Sequence, residues 1–146
     1  MITEIDTTAP VIVRRDIVVD ATLQRVWGLH TDVPAWPSWQ TDITTATTEG
    51  AFEPGTVFHW STFGLEIDST IQVVDAPHRT VWGGPAHGIT GIHLWTFTEL
   101  DGKVHVHTEE SWDGDPIRAD VAGMQAALDS SLAAWLEHLK AAAERA

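Results

Sequence analysis

Alternation of apolar and polar residues over most of the chain predicts a β-rich protein. Residues 11–20 are rich in Val and Ile and predict a first strand. The same kind of pattern predicts six more strands, over residues 41–48, 57–62, 65–74, 79–84, 91–100 and 103–112. Short links such as Phe63-Gly64 and Asp101-Gly102 predict tight hairpins between consecutive strands. The sheet is therefore expected to be antiparallel, with most strands beside their sequence neighbours.

Three segments carry helical signals. Asp20 is expected to cap a short helix that runs to about Leu29, and the proline-rich residues 32–39 predict a second short helix or helical turn. From Pro116 to about Glu144, with Asp115 as the expected N-cap, apolar residues recur three and four positions apart. This spacing predicts one amphipathic helix about 40 Å long, at ~1.5 Å per residue. Residues 1–10 are expected to form a loose leader.

These elements predict a single α+β domain that spans residues 1–146. An antiparallel sheet of seven strands has to cover one of its faces, and the long C-terminal helix is the only large partner for it. We therefore expect a curved sheet that wraps around this helix, with the two short helices after the first strand.

Residue pairing across the hairpins places the large apolar side chains on one face of the sheet. A two-residue turn at Asp101-Gly102 gives the facing pairs Phe97–Val106, Trp95–Thr108 and His93–Glu110. The same count across the two preceding hairpins gives Trp60–Ile67, Phe58–Ser69, Val73–Thr80 and Ile71–Trp82. A slip of one residue would turn every side chain to the other face, so the agreement between hairpins supports the predicted register.

The shared inner face predicts a ligand-sized apolar cavity between sheet and helix. Its candidate ligand-binding residues on the sheet are Phe58, Trp60, Ile67, Ser69, Ile71, Thr80, Trp82, Trp95, Thr108 and Trp112, with Val73 and Phe97 completing the wall. The candidates on the helix are Met124, Leu128, Leu132 and Trp135. A mostly apolar wall with a few polar groups is typical of a binding pocket.

Composition and charge exclude several classes of function. The net charge of −13 disfavours nucleic acid and anionic membrane surfaces as partners. The absence of Cys excludes disulfides, thiolate metal sites and thiol nucleophiles. No signal peptide or membrane-spanning stretch is evident, so a cytoplasmic location is expected. Eight Trp and no Tyr predict either a bulky core or a cavity walled by flat rings.

Several short motifs in a fixed order give the chain a family resemblance. They are Val26-Trp27, Asp32, Trp36, Trp39, residues 54–58, Trp82-Gly83-Gly84, Gly88, residues 93–97, residues 108–111 and Trp135-Leu136 with Leu139-Lys140. With them the chain resembles the START/birch-allergen (SRPBCC) superfamily, in its polyketide cyclase/dehydrase and lipid-transport branch. The resemblance covers nearly the whole chain and implies a helix-grip fold with a deep cavity. It also implies either binding of lipids, hormones or polyketides, or cyclisation and dehydration of poly-β-ketone chains.

His93 and Glu110 are the candidate catalytic residues. A His beside a carboxylate is held in one tautomer and is expected to have a raised pKa, which suits general acid/base catalysis. Ring closure and dehydration need a proton taken from carbon and one returned to oxygen, and Ser69 or Thr80 could hydrogen-bond the carbonyl. Two other interpretations stay open: a satisfied buried pair that fixes strand register, and a ligand contact without chemistry.

The remaining polar and aromatic candidates predict less. The residues His105, His107 and Glu109 share one strand face and could bind zinc, but this face is expected to be solvated, so no metal site is predicted. Arg15 is the one Arg expected to lean inward. The Trp residues of the two short helices, Trp27, Trp36 and Trp39, are expected at the cavity mouth. The histidines expected at the surface or in loops are His30, His59, His78, His87 and His138.

Two functions from different classes follow from the sequence. The first is a cofactor-independent cyclase, aromatase or dehydratase that acts on a small hydrophobic, aromatic or polyketide-derived molecule. The second is a non-catalytic carrier, sequestration or self-resistance protein for such a ligand. No phosphate loop, nucleophile elbow or dinucleotide fingerprint is present, so no cofactor is predicted. The expected partner is the small hydrophobic ligand, and the expected assembly is a monomer or a homodimer.

Overall fold

Seven antiparallel strands form one sheet in the computed structural model, which describes residues 2–145; Met1 and Ala146 lie outside the described residues. The strands are β1 Val11–Val19, β2 Ile43–Thr48, β3 Val57–Thr62, β4 Leu65–Asp75, β5 Arg79–Ala86, β6 Ile89–Leu100 and β7 Lys103–Asp113. Their order in the sheet is β1-β7-β6-β5-β4-β3-β2. The six consecutive strands β2 to β7 thus form a meander in which each pairs with the next, and β1 pairs with β7.

The predicted register is confirmed at the hairpins with the turns Phe63-Gly64 and Asp101-Gly102. Across β6 and β7, His93 pairs with Glu110 and Trp95 with Thr108. Across β3 and β4, Trp60 pairs with Ile67, as predicted. Asp101 and Phe63 adopt positive φ before their glycines, as tight turns of this kind require.

The β4–β5 hairpin departs from the predicted register. Ile71 pairs with Trp82 as predicted, but Val74 rather than Val73 pairs with Thr80. A β-bulge between Ile71 and Val73 adds a residue to β4 and shifts the register. Val74 consequently packs in the inner core and Val73 against the outer face of the sheet. The expectation that Val73 lines the inner wall is wrong for this reason.

The helices begin at other residues than predicted. Helix α1 spans Leu23–Thr31 and is capped by Thr22, whose side chain accepts a hydrogen bond from the Arg25 N–H, so Asp20 is not its N-cap. A 3₁₀ helix spans Val33–Ser38. The C-terminal helix is interrupted: α2 spans Asp115–Arg118, with Gly114 as N-cap, and α3 spans Val121–Glu144.

The segment of residues 2–9 is mostly exposed, but it contacts the sheet through Ile5 and Asp6. Ile5 is buried on the outer face in a cluster with Val81, Ile92 and Leu94. The Asp6 N–H donates to the Ser111 hydroxyl at 3.0 Å. Leu94 pairs with Glu109 on the sheet face that is expected to be solvated, but it is buried there in the same cluster as Ile5.

The inner face of the sheet packs on α1, the 3₁₀ helix and α3. The main core includes the buried residues Trp36, Phe58, Ile71, Trp82, Trp95, Phe97, Trp135, Leu136 and Leu139. A second core, between α2, α3 and β1, is formed by Val11, Val13, Ile117, Leu128 and Leu132. Among residues 2–145, no helix combines the length and apolar character needed to cross a membrane.

Candidate functional site

His93 and Glu110 lie side by side on the inner face, as the hairpin count predicts. His93 Nδ1 is 3.0 Å from Glu110 Oε1, and the two side chains are 2% and 15% exposed. This contact lacks hydrogen-bond geometry, so Nδ1 makes no hydrogen bond in the described part of the chain. The pair therefore has one buried nitrogen free to bind something else.

The hydrogen bonds of Thr108 define the tautomer of His93. Thr108 Oγ1 donates to the carbonyl of Leu94 at 3.0 Å. A hydroxyl has a single proton, so the contact of 2.8 Å between His93 Nε2 and Thr108 Oγ1 requires Nε2–H to donate. Nδ1 of the neutral ring is then unprotonated and is a base that faces the Glu110 carboxyl.

Burial keeps both members of the pair uncharged. It lowers the pKa of His93 well below its usual range, and nearby His30 lowers it further. It raises the pKa of Glu110 to about 8, although a hydrogen bond from Trp112 acts in the opposite direction. The expectation that the carboxylate raises the His93 pKa is wrong, because loss of hydration outweighs the attraction of a carboxyl that is itself protonated.

Trp112 positions the Glu110 carboxyl. Its Nε1–H donates to Glu110 Oε2 at 2.6 Å. Because Oε2 accepts this hydrogen bond, the carboxyl proton belongs on Oε1, the oxygen nearest to His93. The site thus presents an acid, Oε1–H, next to a base, Nδ1.

Aromatic rings surround the pair and fill the space where the sequence predicts a cavity. The His93 ring centroid lies 4.7 Å from that of Trp82, 4.9 Å from Trp95 and 5.4 Å from Trp135. Trp60 completes the set, with its centroid 5.8 Å from those of Trp82 and Trp135. The four predicted wall residues do meet, and they pack against one another.

Two surface depressions accompany this packed interior. One, of about 490 Å³, lies beside α1 and includes Arg25 and Gly28. The other, of about 260 Å³, lies on the outer face of β2 to β4 and includes His59 and Asp68. Neither lies between the sheet and α3, so both are separate from the His93–Glu110 pair.

Buried side-chain nitrogens without hydrogen-bond partners distinguish this interior from an ordinary core. Among residues 2–145, the unpaired buried side-chain nitrogens are Nε1 of Trp39, Trp82, Trp95 and Trp135, and Nδ1 of His93. Nearly all buried polar groups in proteins are hydrogen-bonded, and each one left unpaired costs about 1–3 kcal/mol. Three of these indoles contact His93, so the unpaired groups cluster around the candidate site.

His30 is a site residue that the sequence prediction placed at the surface. It is 1% exposed, and its Nε2 lies 2.8 Å from Thr80 Oγ1. Its ring centroid lies 5.0 Å from that of Trp95, so His30 and His93 flank the same indole. Burial lowers the pKa of His30 to about 3. Its position on the buried face of α1, four residues after Val26, was the signal that could have found it.

The other predicted ligand-binding residues divide between several environments. Phe58 and Ile71 belong to the main core, whereas Leu128 and Leu132 belong to the second core, against which Met124 and Trp112 pack. Ser69 accepts a hydrogen bond from Trp60 Nε1 at 3.1 Å. Ile67 is half-buried beside the surface depression on β2 to β4.

The remaining polar candidates lie away from the His93–Glu110 pair. Arg15 pairs with Thr108 and so shares the inner face, as expected, but its guanidinium is partly exposed and is bound to Asp129 of α3 at 2.8 Å. His107 Nδ1 contacts Asp16 and its Nε2 contacts Glu109, both at 2.7 Å. Within the described residues, no group of three or more His, Asp or Glu side chains is placed to hold a metal ion.

Trp36 is more deeply placed than predicted. It is fully buried rather than at a cavity mouth, and its Nε1–H donates to the carbonyl of His30 at 3.0 Å. Trp39 is buried as well, and Trp27 is half-buried against Phe97.

Solved structures with this fold come from distant proteins. A hypothetical protein of Helicobacter pylori superposes with a TM-score of 0.84 and 19% identity, over 99% of this chain and 98% of that one. A START superfamily protein of Mycobacterium smegmatis superposes with a TM-score of 0.77 and 9% identity, over 91% and 97% of the two chains. These similarities establish the helix-grip fold.

A third structure is a di-domain aromatase/cyclase, StfQ, from the steffimycin biosynthetic pathway. It superposes with a TM-score of 0.73 and 19% identity, over 91% of this chain and 44% of the di-domain protein. Comparison with curated proteins finds no match. The pattern of the family described as polyketide cyclase/dehydrase and lipid transport matches residues 10–144. The chain belongs to this polyketide cyclase/dehydrase and lipid transport family.

Proposed function

We propose that the protein binds a small hydrophobic molecule, aromatic or polyketide-derived, between the sheet and α3, and catalyses its dehydration with His93 and Glu110. The observation that carries this proposal is an uncharged acid beside an uncharged base, 3.0 Å apart and surrounded by indole rings. Membership in the family supports the substrate class.

The two groups have complementary roles in the proposed reaction. His93 Nδ1 takes a proton from the carbon next to a ketone, and the electron pair of that C–H bond forms a C=C bond. The neighbouring C–O bond breaks, and Glu110 Oε1–H protonates the leaving hydroxyl to give water. A rotation of the Glu110 carboxyl that aligns Oε1 with Nδ1, 3.0 Å away, then lets the proton on Nδ1 return to Oε1. The pair ends as it began, so no cofactor or external proton donor is consumed.

A benzo-fused β-hydroxyketone tests this proposal, because 3-hydroxytetralone becomes a naphthol on loss of water. Glu110→Gln and His93→Phe keep the side-chain volume but remove the acid or the base. We expect each to lower kcat by about 10²–10⁴-fold, the usual contribution of general acid/base catalysis. Binding of tetralone, which has no leaving group, should stay within about threefold as measured by calorimetry.

Matched controls lie on the outer face of the same strand. Glu109→Gln and His105→Phe change the same residue types outside the interior and should leave kcat unaltered. Full activity in both inner variants would show that the acid/base assignment is wrong.

The alternative is a carrier that binds the same kind of ligand without chemistry. It is favoured by the contacts that already occupy His93 Nε2 and Glu110 Oε2, since these contacts hold both side chains in fixed positions where they can contact a ligand without reacting with it. Stoichiometric binding of tetralone with no naphthol formed by the unaltered protein would establish this alternative.

A further inference from the structure

Trp36 occupies the centre of the interior, although it comes from a short segment outside the sheet and α3. It lies on the 3₁₀ helix Val33–Ser38 and has no exposed surface. Its ring centroid lies 5.4 Å from Phe58, 5.8 Å from Trp82 and 5.6 Å from Trp135. A flat ring thus stands between the sheet and the long helix, against two of the indoles with unpaired N–H groups.

The indole ring of Trp36 fills the space in this interior, but it offers no hydrogen-bond acceptor to the N–H groups around it. Trp36 has no acceptor atom, and its one donor is bound to the carbonyl of His30. The Nε1–H groups of Trp82 and Trp135 therefore stay unpaired next to it. A flat ring that carried oxygen atoms in this place could accept from them.

The absence of buried cations around Trp36 in the described residues favours a neutral ligand oxygen over an anionic one. None of the buried side chains in residues 2–145 belongs to Lys or Arg. His30 and His93 are uncharged, since burial lowers the pKa of both. An anionic ligand would lose its hydration without gaining a cation, which is costly. A neutral carbonyl or ether oxygen has no such cost.

We propose that Trp36 is a displaceable plug, and that the ligand replacing it is a flat, uncharged molecule whose oxygen atoms accept hydrogen bonds from the buried indole N–H groups. This inference rests on the proposed function, because it concerns the same interior. It goes further by naming the entry point and by excluding carboxylate ligands.

The segment that carries Trp36 is suited to movement. The 3₁₀ helix has only six residues, two of which, Pro34 and Pro37, have no N–H to donate. Short 3₁₀ helices have poorer hydrogen-bond geometry than α-helices. The segment therefore has few internal bonds to lose when Trp36 withdraws.

Three compounds of the same shape test the ligand class on the unaltered protein. Fluorenone has one carbonyl, fluorene has no oxygen, and fluorenone carboxylate adds a negative charge. We expect fluorenone to bind about tenfold more tightly than fluorene, the equivalent of about one net hydrogen bond, and the carboxylate to bind more weakly than both. Calorimetry gives the three dissociation constants.

Two variants test which groups act. Trp82→Phe keeps a ring but removes one unpaired donor, and it should reduce the preference for fluorenone while fluorene binding is retained. Trp27→Phe is the matched control, because Trp27 has no unpaired buried nitrogen. Trp36→Leu should tighten binding of both fluorenone and fluorene, because less of the plug has to be displaced.

Fluorine NMR of protein labelled with 5-fluorotryptophan reports the environment of Trp36. The Trp36 signal is assigned as the one that is missing from the spectrum of Trp36→Leu. Fluorenone should shift this signal to a solvent-exposed position. Equal affinities for fluorene and fluorenone, or an unmoved Trp36 signal when ligand is bound, overturn the inference and leave the proposed function standing. No binding of any of the three compounds to the unaltered protein or to Trp36→Leu overturns both.

Discussion

Glu110 is subject to two opposing influences on its proton. Burial favours the neutral carboxyl, and the hydrogen bond from Trp112 Nε1 favours the charged form. The pKa of about 8 shows that burial prevails. The Trp112 side chain thus holds Glu110 Oε1 toward His93 and also limits how far the Glu110 pKa rises. Trp112 is on this account a positioning residue for the acid.

Replacement of Trp112 by Phe removes this hydrogen bond and keeps most of the ring. We expect the pKa of Glu110 to rise above its present value of about 8, because the charged form loses its donor. The pH at which 3-hydroxytetralone turnover declines should move upward by the same amount. Trp27→Phe serves as the control, and an unmoved or lowered pH limb in Trp112→Phe would contradict the assignment.

At the scale of elements, the C-terminal helix shows how a side chain divides one predicted helix into two. The Asp120 side chain accepts from the Gly123 N–H at 3.1 Å and so begins α3. A Cβ at Gly123 would lie 2.3 Å from Asp120 Oδ2. The single Gly in this helix therefore leaves space for the cap.

Loss of this cap has a measurable cost. Asp120→Ala should lower the free energy of unfolding by about 0.5–2 kcal/mol, the usual effect of removing an N-cap. Urea denaturation measures the change. Asp115→Ala is the control, because α2 has no side-chain capping bond, and its effect should be smaller. Equal effects of the two substitutions would contradict the cap assignment.

For the whole molecule, buried titrating groups couple stability to pH in both directions. His30 has a folded-state pKa of about 3, so the unfolded state binds the extra proton and stability falls as the pH drops from 6.5 toward 3. Glu110 has a folded-state pKa of about 8, so its contribution is present below pH 4.5 and is lost as the pH rises to about 8. The two effects oppose each other between pH 4.5 and 6.5.

Substitution of His30 separates these effects. His30→Gln keeps a polar group beside Thr80 but removes the titration, so the variant should lose less stability on acidification than the parent. With each pH unit below 6.5, the free energy of unfolding should fall by about 1.4 kcal/mol more in the parent than in the variant. Urea denaturation between pH 4 and 7 measures it, with His87→Gln, on an exposed turn, as the control. Parallel pH dependences of parent and His30→Gln would contradict the assignment.

Local chain geometry accounts for what could be predicted of the fold and site. A strand alternates its side chains with a period of two, and a two-residue turn defines the pairing across a hairpin. The pairing of β3 to β7 with their sequence neighbours and the position of His93 opposite Glu110 follow from these rules, whereas the place of β1 beside β7 does not. The register of the β4–β5 hairpin does not follow from these rules, because nothing in the alternation of apolar and polar residues marks the β-bulge between Ile71 and Val73.

The sequence by itself determined the α+β class, the meander and the pairing of His93 with Glu110, because these depend on neighbours along the chain. The tertiary structure alone decided that Ile5 covers the outer face, that His30 is buried and that Trp36 lies against Trp82. It also decided the protonation of the pair. Burial and hydration depend on side chains that come together only in the folded protein. The helical spacing from Val26 marks the face of α1 on which His30 lies, but it does not define what packs against that face.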